Sequence, residues 1–100
     1  MAHKVVITPF AYNDEYETYV WYEEQHVGLG DEFLNELELA YRKIANNPHH
    51  YGFIDENKIL RDYLIRRFPY LIVYRIKDDT IEIIAVHHAR KHPSKKHGRS

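Results

Sequence analysis

With 100 residues, of which 44% are apolar, 14% aromatic and 29% charged, the chain can build one domain around a single core but not a second, and its composition is not that of a disordered segment. The absence of cysteine excludes disulfides, thiolate metal sites and a cysteine nucleophile; with no signal-like start and no apolar run near the roughly 18 residues of a membrane span, a cytoplasmic protein without membrane contact is expected. The net charge of −1 hides a split, because residues 1–56 carry three basic and eleven acidic side chains (−8) and residues 57–100 carry eleven basic and four acidic (+7), so the halves either neutralise each other in the fold or face an anionic or acidic partner.

In chain order, Val5-Val6-Ile7 ahead of Thr8-Pro9 predicts a strand over residues 3–8. Thr8 can cap a helix and Pro9 suits its first turn, where a missing N–H costs nothing. Residues 10–25 then read as helix, with Tyr12, Tyr16, Tyr19, Val20 and Glu23 at spacings of three and four and Asp14 and Glu15 near the positive end of its dipole. Gly28-Leu29-Gly30 breaks that helix, and Leu29, Phe33, Leu37, Tyr41 and Ile44 mark one face of a second, so the two form an αα-hairpin. Asn46-Asn47-Pro48 ends it, since the residue before a proline leaves the helical region.

A polar connection over residues 49–57 leads to three strand-like runs at 58–67, 70–77 and 80–87, the last two joined by a tight turn at Asp78-Asp79. The order β-α-α-β-β-β defines an α+β fold in which a helical hairpin packs on one face of a mostly antiparallel four-stranded sheet. Residues 1–93 form the domain, and residues 94–100, without an apolar anchor, are expected to be a flexible basic tail.

Alternation along the strands puts Arg61, Tyr63 and Arg67 on one face, and Leu71, Val73 and Arg75 together on one face of the next strand. Arginines from neighbouring strands can therefore converge where the helices leave the sheet open, and a planar fork of donors suits phosphate. Arg90 and Lys91, followed by Lys95, Lys96 and Arg99, extend the basic character, although the same arginines can simply pair with the helix carboxylates or face solvent. His87 and His88 are candidates for general acid–base work beside Arg90, as in RNA cleavage by a 2′-hydroxyl; a solvated pair is the ordinary alternative. The histidines lack metal-ligand spacing, so no metal or other cofactor is expected. Of nine tyrosines, Tyr19 and Tyr41 are assigned to the core, and Tyr63 is the best functional candidate because it shares a strand face with Arg61 and Arg67.

Four segments in order, Gly28-Leu29-Gly30-x-x-Phe33-Leu34-x-Glu36-Leu37, Asn47-Pro48-x-x-Tyr51, Arg61-x-x-Leu64-x-x-x-Phe68-Pro69-Tyr70-x-Ile72-x-Tyr74 and Val86-His87-His88-x-Arg90-x-x-Pro93, resemble the RelE/ParE superfamily of type II toxin–antitoxin toxins, on its ParE or plasmid-stabilisation side. The resemblance implies a growth-inhibiting toxin held inactive in a hetero-oligomer with a cognate antitoxin. It implies one of two targets: DNA gyrase, poisoned by ParE-like members that are not nucleases, or mRNA on the translating ribosome, cleaved by RelE-like mRNA interferases. Where RelE proteins place strand arginines and a terminal tyrosine, this chain has Leu71 and Ala89 and no tyrosine after Tyr74, which favours the gyrase inhibitor. In the nuclease alternative Arg61, Arg67 and Arg75 hold phosphate while His87 or His88 moves protons with help from Arg90. A third alternative is a non-toxic partner-binding module of the same fold.

Overall fold

The hydroxyl of Thr8 fixes where the first helix begins. It accepts the Ala11 N–H at 3.3 Å and donates to the Ile83 carbonyl at 2.7 Å, so one side chain both caps the helix and ties its start to the last strand. In the computed structural model, which describes residues 3–90, six elements follow: β1 (Lys4–Ile7), α1 (Pro9–Gln25), α2 (Leu29–Asn46), β2 (Leu60–Ile65), β3 (Tyr70–Lys77) and β4 (Thr80–His88). Lys91 and the basic segment 94–100 lie outside the described residues.

The strands form one sheet in the order β1-β4-β3-β2, with β1 parallel to β4 and the other two pairings antiparallel. The expected α+β architecture is therefore present on a mixed sheet. Both helices cover one face. Phe33, Leu37 and Ile44 of α2 meet Ile72, Tyr74, Ile81, Ile83 and Val86 of the sheet, all at most 2% exposed. Tyr22, Phe33, Phe68 and Tyr70 close one end of this core, their ring centroids 5.0–6.2 Å apart.

The stripe expected for α2 is the stripe that packs. For α1 it is not, because Tyr12 and Tyr16 are exposed and the buried positions are Ala11 and Thr18. Alanine and threonine let α1 lie close over β4, whereas the tyrosines look outward. Tyr19, assigned to the core, instead lies against Gly30 of α2, where an added Cβ would come within 2.7 Å of its ring and its carbonyl. The neighbouring carboxylates of Asp31 and Glu23 raise its hydroxyl pKa.

The hairpin junction is tied from within. Glu23 of α1 accepts the N–H groups of Gly28 and Gly30 at 2.8 and 2.9 Å, so a carboxylate of one helix satisfies the start of the next. Gly28 takes φ +93°, a region that costs glycine little. Across the hairpin the Tyr41 hydroxyl donates to Glu15.

Pairing of β3 with β4 slips between Val73 and Tyr74, whose partners are Ala85 and Ile83. Such a bulge disturbs the ladder locally. The Asp14 carboxylate of α1 accepts the freed Val86 N–H at 2.9 Å, and burial raises the Asp14 pKa despite this bond.

Candidate functional site

The sheet register decides which arginines can meet. Arg61 and Tyr63 stand opposite Tyr74 and Ile72, two fully buried residues, so both point to the helix-covered side. Arg75 stands opposite Leu60 and Glu82, on the other face. The expected convergence of Arg61, Tyr63 and Arg67 with Arg75 on an open face does not occur, because the helices cover the face that carries Arg61 and Tyr63.

Each of these residues has local partners. Arg61 Nη1 donates to the carbonyls of His49 and Tyr51 at 3.1 and 2.6 Å, and its guanidinium lies 3.9 Å from the Phe53 ring centroid. It clamps the connection between α2 and β2, whose turn is closed by Asp55 accepting the N–H groups of Ile59 and Leu60 at 3.0 and 2.9 Å. The Tyr74 hydroxyl donates to the Pro48 carbonyl at 2.7 Å in the same region; burial, above all, pushes its pKa up to about 12. Tyr63 packs edge-on against Tyr51 with centroids 4.9 Å apart.

Arg67 pairs with Glu32 and approaches Glu36 at 3.9 Å, joining the turn after β2 to α2. Tyr63 and Arg67 do share a cleft of about 240 Å³ beside α2, with Arg66, Glu36 and Lys43 in its wall. Arg75 bonds Glu82 across β3 and β4 at 2.5 Å.

His87 and His88 are neighbours in sequence but not in direction. His87 stands opposite Leu71 on the far face, and His88 stands opposite Tyr70 on the helix side, its ring edge-on to Tyr70 with centroids 5.1 Å apart. The Arg90 N–H donates to His88 Nδ1 at 3.0 Å. Among the described residues, the guanidinium groups of Arg66 and Arg90 have no ion-pair partner, and no three potential metal ligands come together.

On the far face Leu60, Leu64, Leu71 and the nearly buried Val73 surround Asp62, which stands opposite Val73, beside the Arg75–Glu82 pair. Period-two reading had put Leu71, Val73 and Arg75 together on one face of their strand without showing which face the helices would cover. A second feature went unnoticed in the sequence. Glu17 and Trp21, one turn apart on α1, line a cleft with Tyr70 and His88, and the signal available was the chain's one tryptophan beside a carboxylate at i−4.

Among solved structures the fold is similar to a chain of the chromosomal ParDE toxin–antitoxin system from P. aeruginosa, with a TM-score of 0.76 at 16% identity over 87% of this chain and 96% of that one. It is also similar to a chain of the RelBE2 toxin–antitoxin complex from Mycobacterium tuberculosis, with a TM-score of 0.62 at 21% identity over 88% and 99% of the two chains. A mutant of the E. coli toxin RelE in the free state gives 0.62 at 14% identity over 99% and 98%. No curated protein matches significantly. These likenesses establish the fold. A sequence model of the ParE toxin of the type II toxin–antitoxin system parDE matches residues 5–93, nearly the whole domain in which the helical hairpin and sheet were found, and on that match the chain belongs to the ParE toxin family.

Proposed function

We propose that the protein is a cytoplasmic, growth-inhibiting toxin, neutralised by a cognate antitoxin, that acts by protein–protein engagement of DNA gyrase rather than by cutting RNA. The observation that carries this reading is the far face of the sheet. Leu60, Leu64 and Leu71 stand on it around the nearly buried Val73, Asp62 lies opposite Val73, and Arg75 is already neutralised by Glu82. Aliphatic side chains beside an acidic residue and a compensated arginine suit a protein partner, whereas a nucleic-acid face concentrates unpaired cations.

The residues of the nuclease alternative are dispersed. His87 and His88 lie on opposite sides of the sheet, and Arg61 and Arg67 are bonded to the protein's own carbonyls and carboxylates. A base and an acid acting on one phosphate must lie within hydrogen-bond reach of it together. Arg90 remains available for contact with a target, and Lys91 follows it directly in the sequence.

Pulse-labelling of DNA and protein synthesis within minutes of inducing the chain alone tests the reading. An early fall in DNA synthesis with translation intact is expected. An early fall in translation would replace gyrase with the ribosome, and no change in either would leave a non-toxic binding module. His87→Ala should retain full toxicity and Arg90→Ala should lose at most about tenfold as one lost target contact, whereas a nuclease would lose about 10²–10⁴ in rate with either.

A further inference from the structure

Between α1 and the adjoining ends of β3 and β4 lies a cleft of about 470 Å³ lined by Glu17, Thr18, Trp21, Tyr22, Tyr70 and His88. Its walls are aromatic. Trp21 and Tyr22 stand at 81° with centroids 5.1 Å apart, Tyr22 and Tyr70 at 62° and 6.2 Å, and Tyr70 and His88 at 75° and 5.1 Å. Rings that succeed one another near the perpendicular cannot all stack on one flat base, but those whose electron-rich faces look into the cleft can hold a compact cation. Burial, with Tyr70 alongside, pushes the Tyr22 hydroxyl up to about 12, so it is a neutral ring at physiological pH.

Glu17 supplies the charge at this cleft. Among the described residues its carboxylate is in no ion pair, and it is close enough to Asp14 to help raise the pKa of that group. An anion would be repelled here. A purely aliphatic guest would strip water from Glu17 without replacing it, which is costly for a carboxylate. A guanidinium or ammonium group satisfies both walls, lying against the rings while bonding the carboxylate.

Trp21 is 55% exposed, so the free protein presents a large ring at the rim of a cleft, the kind of feature that anchors a partner's side chain. We propose that this cleft is an anchor for an arginine or lysine side chain carried by a segment of the antitoxin. The assignment of the occupant rests on the antitoxin partnership proposed above; the assignment of the cleft chemistry does not. It places one antitoxin contact on the acidic helical side of the toxin, away from the apolar far face of the sheet.

The first test uses the full chain and acetyl-arginine methylamide as probe, followed by the Trp21 indole resonance and fluorescence. A saturable response is expected, with acetyl-leucine methylamide giving none. Glu17→Gln, a change on the helix surface that leaves the fold in place, should weaken the arginine probe about tenfold or more. No saturation, or equal responses to the two probes, would overturn the cleft chemistry.

The second test measures Glu17→Lys toxin against its cognate antitoxin. A loss of affinity of about tenfold or more is expected, since a like charge then occupies the anchor. If the probe binds but the complex is unaffected, the antitoxin is not the occupant and that assignment falls. If no antitoxin neutralises the chain at all, the toxin–antitoxin reading fails, while the probe titration still decides the cleft.

Discussion

Arg61 shows how a residue chosen for its charge can owe its position to backbone geometry. Its guanidinium bonds two carbonyls and covers Phe53, so Arg61→Ala removes donors from a partly buried loop and should cost about 1–3 kcal/mol. Denaturant unfolding measures this. Arg61→Lys should recover little, because an ammonium cannot reproduce a planar fork against two acceptors. A stability unchanged in Arg61→Ala would return Arg61 to the surface role first expected of it. Glu15 carries a different kind of strain. Burial raises its pKa above the ordinary 4.5 although the Tyr41 hydroxyl donates to it. In the window just above 4.5 the folded chain therefore holds a proton there that the unfolded chain has released, so this group's contribution to stability is full below that window and is lost as pH rises through the folded pKa. Glu15→Gln keeps an acceptor for Tyr41 without the desolvated charge. It should melt higher than the parent at pH 7, with the gap closing toward pH 4; a gap independent of pH would show that ionisation of Glu15 is not the cause.

At the scale of elements, the hairpin junction concentrates the constraints that a local motif can encode. Gly30 lies where α1 and α2 touch, and neither the Tyr19 carbonyl nor the helix axis can retreat far from an added methyl. Gly30→Ala should destabilise by about 1–3 kcal/mol through overpacking, despite alanine's better helix propensity. Glu23→Ala, which leaves the Gly28 and Gly30 N–H groups without their acceptor, should cost about 0.5–2 kcal/mol as a lost cap. Thermal or denaturant melts of both variants check this, and a stabilised Gly30→Ala would refute the close approach. The junction also marks what could be read from sequence. Breaks at Gly28 and Pro48, the α2 stripe and the last two strands depend on near neighbours in the chain and appear where they were expected, whereas β2 is two residues shorter at each end than the run 58–67, which leaves Arg67 in the turn after it. The outward-facing tyrosines of α1 were not legible, because their spacing is helical whichever side is buried. Nor was the face of Arg61, since period two groups residues without saying which group the helices will cover.

For the whole molecule, the question raised by the charge split is whether acidic and basic halves exist to hold each other or to meet something else. The contact that joins them most directly is Arg67 with Glu32 and Glu36, linking the turn after β2 to α2. Both Arg67 and Glu32 are about half exposed, at 55% and 48%, and a pair so placed is worth about 0.2–1 kcal/mol and is screened by salt. A double-mutant cycle on Glu32→Gln and Arg67→Gln, read by denaturant unfolding, should therefore give a coupling of about 1 kcal/mol or less that shrinks at high salt. Such a value is too small to explain a segregation of −8 against +7 as a folding device. The asymmetry would then act outward, with the acidic helices and the cationic residues near the end of β4 addressing different partners. A coupling of several kcal/mol would reverse that conclusion, making the split a property of the fold and leaving the far apolar face as the main surface for recognition.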